Sequence, residues 1–356
     1  MKILRTIPEV REAVGEAKAK QRTVGLVPTM GAFHEGHLSL MRRAREENGL
    51  VVVSLFVNPT QFAPNEDLST YPRDEARDAT QAEAEGVDIL FAPAPDEVYP
   101  HGFATSIHVA GITDVLDGAS RGAHHFDGVA TVVTKLFGIV RPDVAYFGQK
   151  DAQQVLVVRR VVRDLDLDVR IEACPIVREA DGLAMSSRNV YLDPAARQQA
   201  TALNRALDAA QALHDGGERD ADRIFAAARD VLDAAGIRTE YLELRDAETL
   251  EPVADTSRDS LLAVAAHVGA ARLIDNHLLT GHPSEHDRIS EHDRITERDC
   301  IPGPSGTPEP AYPSEHNVIP EHDHIPVPSR IPEPRRTPEP AHSSEPRRTS
   351  EQNGTR

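Results

Sequence analysis

Apolar residues in the first half of the chain fall into two alternating kinds of block. Short, dense runs rich in Val, Ile and Leu occupy residues 25–29, 50–57, 87–92, 144–147 and 169–177. Longer stretches between them space their apolar residues three or four apart, as at Leu38, Met41 and Ala44. The short runs predict strands, because a strand covered on both faces reads as continuous apolar sequence. The spaced stretches predict helices, over 74–85, over 128–140 until Arg141-Pro142 stops it, and over 152–165. This alternation predicts an α/β fold, a Rossmann-like, doubly wound parallel sheet domain over residues 1–177.

After residue 189 the pattern changes. Ala-rich amphipathic helices are expected over 194–214 and 220–235, then strands over 238–245, 260–267 and 271–276. That order predicts a smaller α+β domain over residues 178–280, able to close on the first as a lid. From residue 281 proline becomes dense and apolar content falls. S-E-H-D-R-I begins at Ser284 and again at Ser290, and T-P-E-P-A at Thr307 and Thr337. Residues 281–356 are expected to form a disordered, low-complexity tail.

Charge narrows the functional classes. The 356 residues carry 39 Lys and Arg against 57 Asp and Glu, a formal net charge of −18. A basic surface that grips duplex nucleic acid is therefore not expected. An acidic chain that binds an anionic nucleotide must gather positive charge at one focused site. Cys174 and Cys300 are the two cysteines, too few for a disulfide framework and in keeping with a cytoplasmic protein. The first ten residues are too broken by charge for a signal peptide. No run approaches the roughly 18–20 apolar residues of a membrane span, so no membrane partner is expected.

Candidate chemistry follows the strands, where parallel sheets bind ligands. After the first run comes M-G-A-F-H-E-G-H, which places His34 and His37 where a strand hands over to a helix N-terminus, a favourable place for an anion. Two histidines at this spacing also suit a solvated helix end or a metal clip. A zinc-protease motif is excluded, because only Gly36 separates Glu35 from His37. After the second run come Asn58 and Gln61. After 144–147 come Lys150, Asp151, Gln153 and Gln154. After 169–177 come Ser186, Ser187, Arg188 and Asn189. Lys150 is a compact cation for phosphate oxygens, and Arg188 a planar fork for bidentate contact. Ser186 and Ser187 add neutral donors, and Gln61 and Gln154 suit a small substrate with hydroxyl and carboxylate groups.

The stretches P-T-M-G-A-F-H-E-G-H, F-V-N-P-T-Q-F, F-G-Q-K-D-A-Q-Q and A-M-S-S-R-N-x-Y-L, in this order and spacing, resemble the pantothenate synthetase (pantoate–β-alanine ligase) family over about residues 1–280. H-E-G-H resembles the H-I-G-H signature of nucleotidylyltransferases, and M-S-S-R the K-M-S-K-S element that closes over ATP. The resemblance implies that ATP and (R)-pantoate form a pantoyl adenylate and pyrophosphate, and that β-alanine then displaces AMP. It implies Mg²⁺ with the triphosphate and a homodimer. It further implies that Met30, Gly31, Ala32, Phe33, His34, Glu35, Gly36 and His37 line the ATP site, with His37 as proton donor. Gly148, Gln149, Lys150 and Asp151 would hold ribose and phosphates, and Val177 the adenine side. Met185, Ser186, Ser187 and Arg188 would clamp the triphosphate. Gln61 would contact pantoate and β-alanine, Asn58 would support that loop, and Gln154 would bind pantoate. Two departures stand out: Gln149 and Asp117 occupy positions where the family usually has Glu. A nucleotidylyltransferase that keeps the adenylyl group on its product, and a nucleotide sensor without turnover, are the rival readings.

Overall fold

The computed structural model describes residues 1–62 and 68–281, all within the first of two units into which the chain divides. The tail expected at 281–356 lies outside the described residues beyond Gly281.

Six parallel strands form the larger sheet: β1 (Lys2–Leu4), β2 (Val24–Thr29), β3 (Leu50–Leu55), β4 (Ile89–Phe91), β5 (Val144–Gly148) and β6 (Arg170–Cys174). Their order is β1-β4-β3-β2-β5-β6, so the chain builds outward from β2 in one direction, then returns to place β5 on its other side. The reversal point lies between β2 and β5, where a doubly wound sheet opens its ligand crevice. The connecting helices are α1 (Ile7–Ala19), α2 (Glu35–Glu47), α3 (Glu75–Ala84), α4 (Pro95–Val98), α5 (Asp117–Arg121), α6 (Ala123–Val140) and α7 (Ala152–Asp164).

Helices cover both faces. Val24 and Leu26 pack with α1 and α6, whereas Val27, Val51 and Val53 pack with Leu40, Met41 and Ala44 of α2. This two-sided burial accounts for the unbroken apolar reading of β2 and β3. Two elements go beyond the sequence expectation: β1 and α1 precede the first expected strand. β1 is a three-residue edge strand, too short to give a periodic signal. The charged opening of α1 hides a capping box, in which Thr6 and Glu9 satisfy each other's main-chain N–H groups.

The second part is an antiparallel sheet, β7 (Thr239–Asp246), β8 (Ser260–Val268) and β9 (Ala271–Leu279), in the order β7-β8-β9. It packs against α8 (Pro194–Ala200), α9 (Ala202–Asp215) and α10 (Ala221–Ala234). The single helix expected over 194–214 is corrected to two, broken at Thr201. Among the described residues no helix is long and apolar enough to cross a membrane.

Candidate active site

The crevice between β2 and β5 begins in the hydrogen bonding of β2. The carbonyl of Val24 accepts from Asp143, at the start of β5, while those of Thr23 and Thr29 accept from Leu50 and Phe56 on the β3 side. Even-numbered residues of β2 therefore face β5. Pro28 is one of them and has no N–H to offer. Register with β5 covers only Gly25 and Leu26, whereas register with β3 runs through Thr29. Beyond Leu26 the two strands part, and Pro28 lines the cavity that opens there.

His34 and His37 enter from the β2–α2 connection. Gly31 and Ala32 both have positive φ, +92° and +53°, a conformation that costs Ala32 energy. Asp78 of α3, 1% exposed, holds this turn by accepting the N–H of Ala32 and of Phe33, both at 2.9 Å. The turn delivers His34 to the N-cap of α2. His34 Nδ1 accepts the Gly36 N–H at 3.2 Å, and His37 Nδ1 accepts the His34 N–H at 3.4 Å. An acceptor nitrogen carries no proton, so each ring bears its hydrogen on Nε2. Desolvation, with the charges of His34 and Lys150, pushes His37 down to about 3. Desolvation and Lys150 lower His34 as well. Both imidazoles are thus neutral N–H donors near pH 7.

The other chemical groups come from three further strand ends. The β3 loop brings Asn58 and Gln61, both buried, with the Asn58 amide donating to the Gly128 carbonyl at 3.1 Å and to Gln61 Oε1 at 3.2 Å. The turn after β5 brings Gly148, Lys150, Asp151 and Gln154. The loop after β6 folds back on itself, with the Met185 N–H donating to the Val177 carbonyl at 2.9 Å. It brings Val177, Met185, Ser186, Ser187 and Arg188. All of these, with Met30, His34, Gly36 and His37, line one cavity of about 230 Å³. Its floor on the α6 side is apolar, formed by Val129, Val132, Val133 and Leu136. A neighbouring chamber of about 670 Å³ shares Lys150, Asp151, Gln154, Ser186 and Arg188 with it and adds Arg121 and Arg272. Ligand pockets typically offer roughly 300–1,000 Å³, a range the two chambers reach together.

Five expected ATP-site residues lie elsewhere. Phe33 is 1% exposed in the core beneath α2, and Glu35 pairs with Arg42 on the outer surface. Gly31 and Ala32 shape the turn without lining the cavity. Gln149 turns its amide to Asn276 Oδ1 at 3.3 Å and borders a different cavity. Asp117, one of the two noted departures, pairs with Arg272 at 2.6 Å and accepts from the Tyr241 hydroxyl at 3.1 Å. Sequence reasoning missed Asp78, which no local pattern marks. It also missed His125, 7% exposed, whose Nδ1 sits 2.9 Å from the Gln61 carbonyl and whose Nε2 sits 3.0 Å from Arg121 Nη1.

Among the described residues no group of three or more His, Cys, Asp or Glu side chains is placed to hold a metal ion. The metal-clip alternative for His34 and His37 therefore has no further ligand among them.

The family model for pantoate-beta-alanine ligase matches residues 2–278. The pantothenate synthetase of Thermotoga petrophila is 55% identical over 280 residues, covering 78% of this chain and 100% of that one. That of Koribacter versatilis is 52% identical over 280 residues, 78% of this chain and 96% of its own. Among solved structures, the pantothenate synthetase of Thermus thermophilus aligns with a TM-score of 0.74 at 48% identity, covering 79% of this chain and all of that chain. A pantoate-beta-alanine ligase of Francisella tularensis, complexed with beta-gamma ATP and beta-alanine, aligns at 0.65 and 33% identity, covering 80% of this chain and all of its own.

Proposed function

The chain belongs to the pantoate-beta-alanine ligase family, and on that footing we propose how its central cavity carries the reaction. It is an ATP-dependent ligase that condenses (R)-pantoate with β-alanine to (R)-pantothenate, AMP and pyrophosphate. One observation supports the site reading above the rest: His34, His37, Lys150 and Arg188, from three separate loops, line the same cavity as Gln61 and Gln154.

In the first half-reaction a pantoate carboxylate oxygen attacks the α-phosphorus of ATP. An O–P bond forms, the bond to the β-phosphate oxygen breaks, and pyrophosphate leaves. Both reactants are anions, so the work is positioning and charge stabilisation. The Nε2–H groups of His34 and His37 donate to phosphate oxygens, with His37 serving the departing group. Lys150 and Arg188 supply fixed positive charge, and Ser186 and Ser187 neutral donors. Gln61 and Gln154 bind the hydroxyl and carboxylate ends of pantoate, while the α6 floor receives its methyl groups. In the second half-reaction the β-alanine amine attacks the acyl carbon, the C–N bond forms, the amine loses a proton, and AMP departs. Seclusion in the cavity protects the adenylate from water.

Mg²⁺ bound with the triphosphate would neutralise part of its charge. Asp151, beside Lys150 on the cavity wall, is the carboxylate available to it. Residues 1–177 and 178–280 act as separate domains, the second as a lid. The family resemblance supports a homodimer, which light scattering tests as a particle of two chains, and ATP as substrate supports a cytoplasmic location. The decisive experiment is a product assay. Pyrophosphate should appear with pantoate and ATP alone, and AMP only once β-alanine is added. Pyrophosphate without any later AMP would favour a nucleotidylyltransferase, and ATP binding without either product a sensor.

A further inference from the structure

Two adjacent polar residues of β9 are buried. Asp275 is 2% exposed and Asn276 3% exposed. Their side chains reach the two loops that carry the phosphate-facing cations. The Asn276 amide splits its two hydrogens between the carbonyl of Gln149 at 3.0 Å and that of Lys150 at 2.9 Å. Its Oδ1 accepts from the Gln149 amide at 3.3 Å. Asp275 receives both terminal nitrogens of Arg178, at 2.6 and 3.0 Å. Arg178 follows Val177 at the base of the loop that returns to Met185–Arg188, and it also donates to the Gly182 carbonyl at 3.2 Å.

We infer that Asn276 is a positioning residue for Lys150, and that Asp275, through Arg178, sets the Arg188 loop against the same strand. Main-chain carbonyls at 149 and 150 have no strand partner, since β5 ends at Gly148. A single planar amide pins both, and thereby fixes where the Lys150 Cα sits relative to β9. The bidentate ion pair one residue earlier fixes the second loop to the same backbone. The loops that carry the two cations are therefore anchored to adjacent residues of one strand. Neither Asp275 nor Asn276 touches a reacting atom in this arrangement.

The inference rests on the reading of Lys150 as a phosphate ligand, so the test runs Lys150→Ala alongside. Full-length chain is mixed with ATP and pantoate, and the rate and amplitude of the pyrophosphate burst are followed. Asn276→Asp keeps the shape but turns oxygens toward both carbonyls. Its burst rate should fall tenfold or more, with amplitude retained and pantoate KM within twofold. Asn276→Ser keeps one donor and should fall less. It carries the test if Asn276→Asp does not fold. Arg178→Lys should raise the ATP KM at least fivefold. A loss of burst amplitude alone, with the rate per active site unchanged, marks a merely structural role and overturns the inference. Normal Asn276 variants beside an inactive Lys150→Ala also overturn it. An active Lys150→Ala instead overturns the phosphate reading itself.

Discussion

His37 Nδ1 accepts the main-chain N–H of His34 while the two rings stand 4.2 Å apart, centroid to centroid. One contact thus starts the helix, fixes the tautomer of His37 and aims its remaining N–H. A second proton on either ring would make it a cation and remove the Nδ1 acceptor that caps the helix. His37→Ala should lower the rate of pyrophosphate formation by about 10²–10³, the scale of one lost transition-state donor. Loss of the cap costs about 0.5–2 kcal/mol, so the variant stays folded. Burst kinetics and thermal unfolding separate the two effects, and near-normal turnover would remove His37 from the mechanism.

The lowered pKa of His37 carries a stability consequence. In the unfolded chain this imidazole titrates near its ordinary 6.5, and in the native state near 3. Between those values the unfolded state binds the extra proton, so stability falls as pH drops through that window. The slope from this group is at most about 1.4 kcal/mol per pH unit. His37→Ala lacks it. Urea unfolding at pH 7.5, 6 and 5 should show the advantage of the wild type over the variant shrinking with acid. Parallel losses in both proteins would contradict the assignment.

Asp78 is the support behind the histidines. Its two oxygens serve two main-chain N–H groups on a turn that would otherwise relax from the left-handed region. Asp78→Ala leaves both unpaired, at roughly 1–3 kcal/mol each. We expect a large drop in the urea midpoint and a several-fold rise in the ATP KM, because the turn that places His34 and His37 loosens. An unchanged ATP KM in the folded fraction would confine Asp78 to stability.

Much of this was readable in the sequence because parallel strands are buried on both faces and leave dense apolar runs with their polar groups at the ends. Members of all four groups at those ends, from His34 to Arg188, line one cavity, whereas Gln153 turns its amide to the Ile112 and Val115 carbonyls and Asn189 turns to Glu179. What escaped depends on tertiary approach. Phe33 and Glu35 sit inside the histidine motif, yet the turn held by Asp78 sends Phe33 into the core, while Glu35, the first residue of α2, faces a surface arginine. Gln149 adjoins Lys150 but bonds to a strand 127 residues away. Asp78 lies on a helix whose sequence reads as merely polar.

Gly128 offers a test of the pantoate side. A Cβ built there would lie 2.5 Å from the Thr60 carbonyl oxygen and 2.7 Å from Gln61 Cα, main-chain atoms that cannot swing aside. Gly128→Ala must push the 58–61 loop off α6, and overpacking of this kind costs about 1–3 kcal/mol. Because Gln61 moves while Lys150 and Arg188 do not, the pantoate KM should rise at least tenfold with the ATP KM within threefold. Equal rises in both would show that the loop does not serve pantoate alone.

The family match ends at residue 278, and Leu279 is fully buried at the end of β9, paired with Ser260 of β8. Gly281 still donates its N–H to Asp259 at 2.9 Å. Every cavity residue lies upstream. A chain ending at residue 281 should therefore keep kcat and both KM values within twofold and the same Tm within a degree or two. A chain ending at residue 276 removes Leu279 and the pairing of His277 and Leu278, and the lost leucine alone costs about 2–5 kcal/mol. It also leaves Asn276 at a frayed terminus, so its activity should fall with its stability. If the longer truncation product loses activity while keeping its Tm, the residues after 281 take part in the reaction and the boundary is wrong.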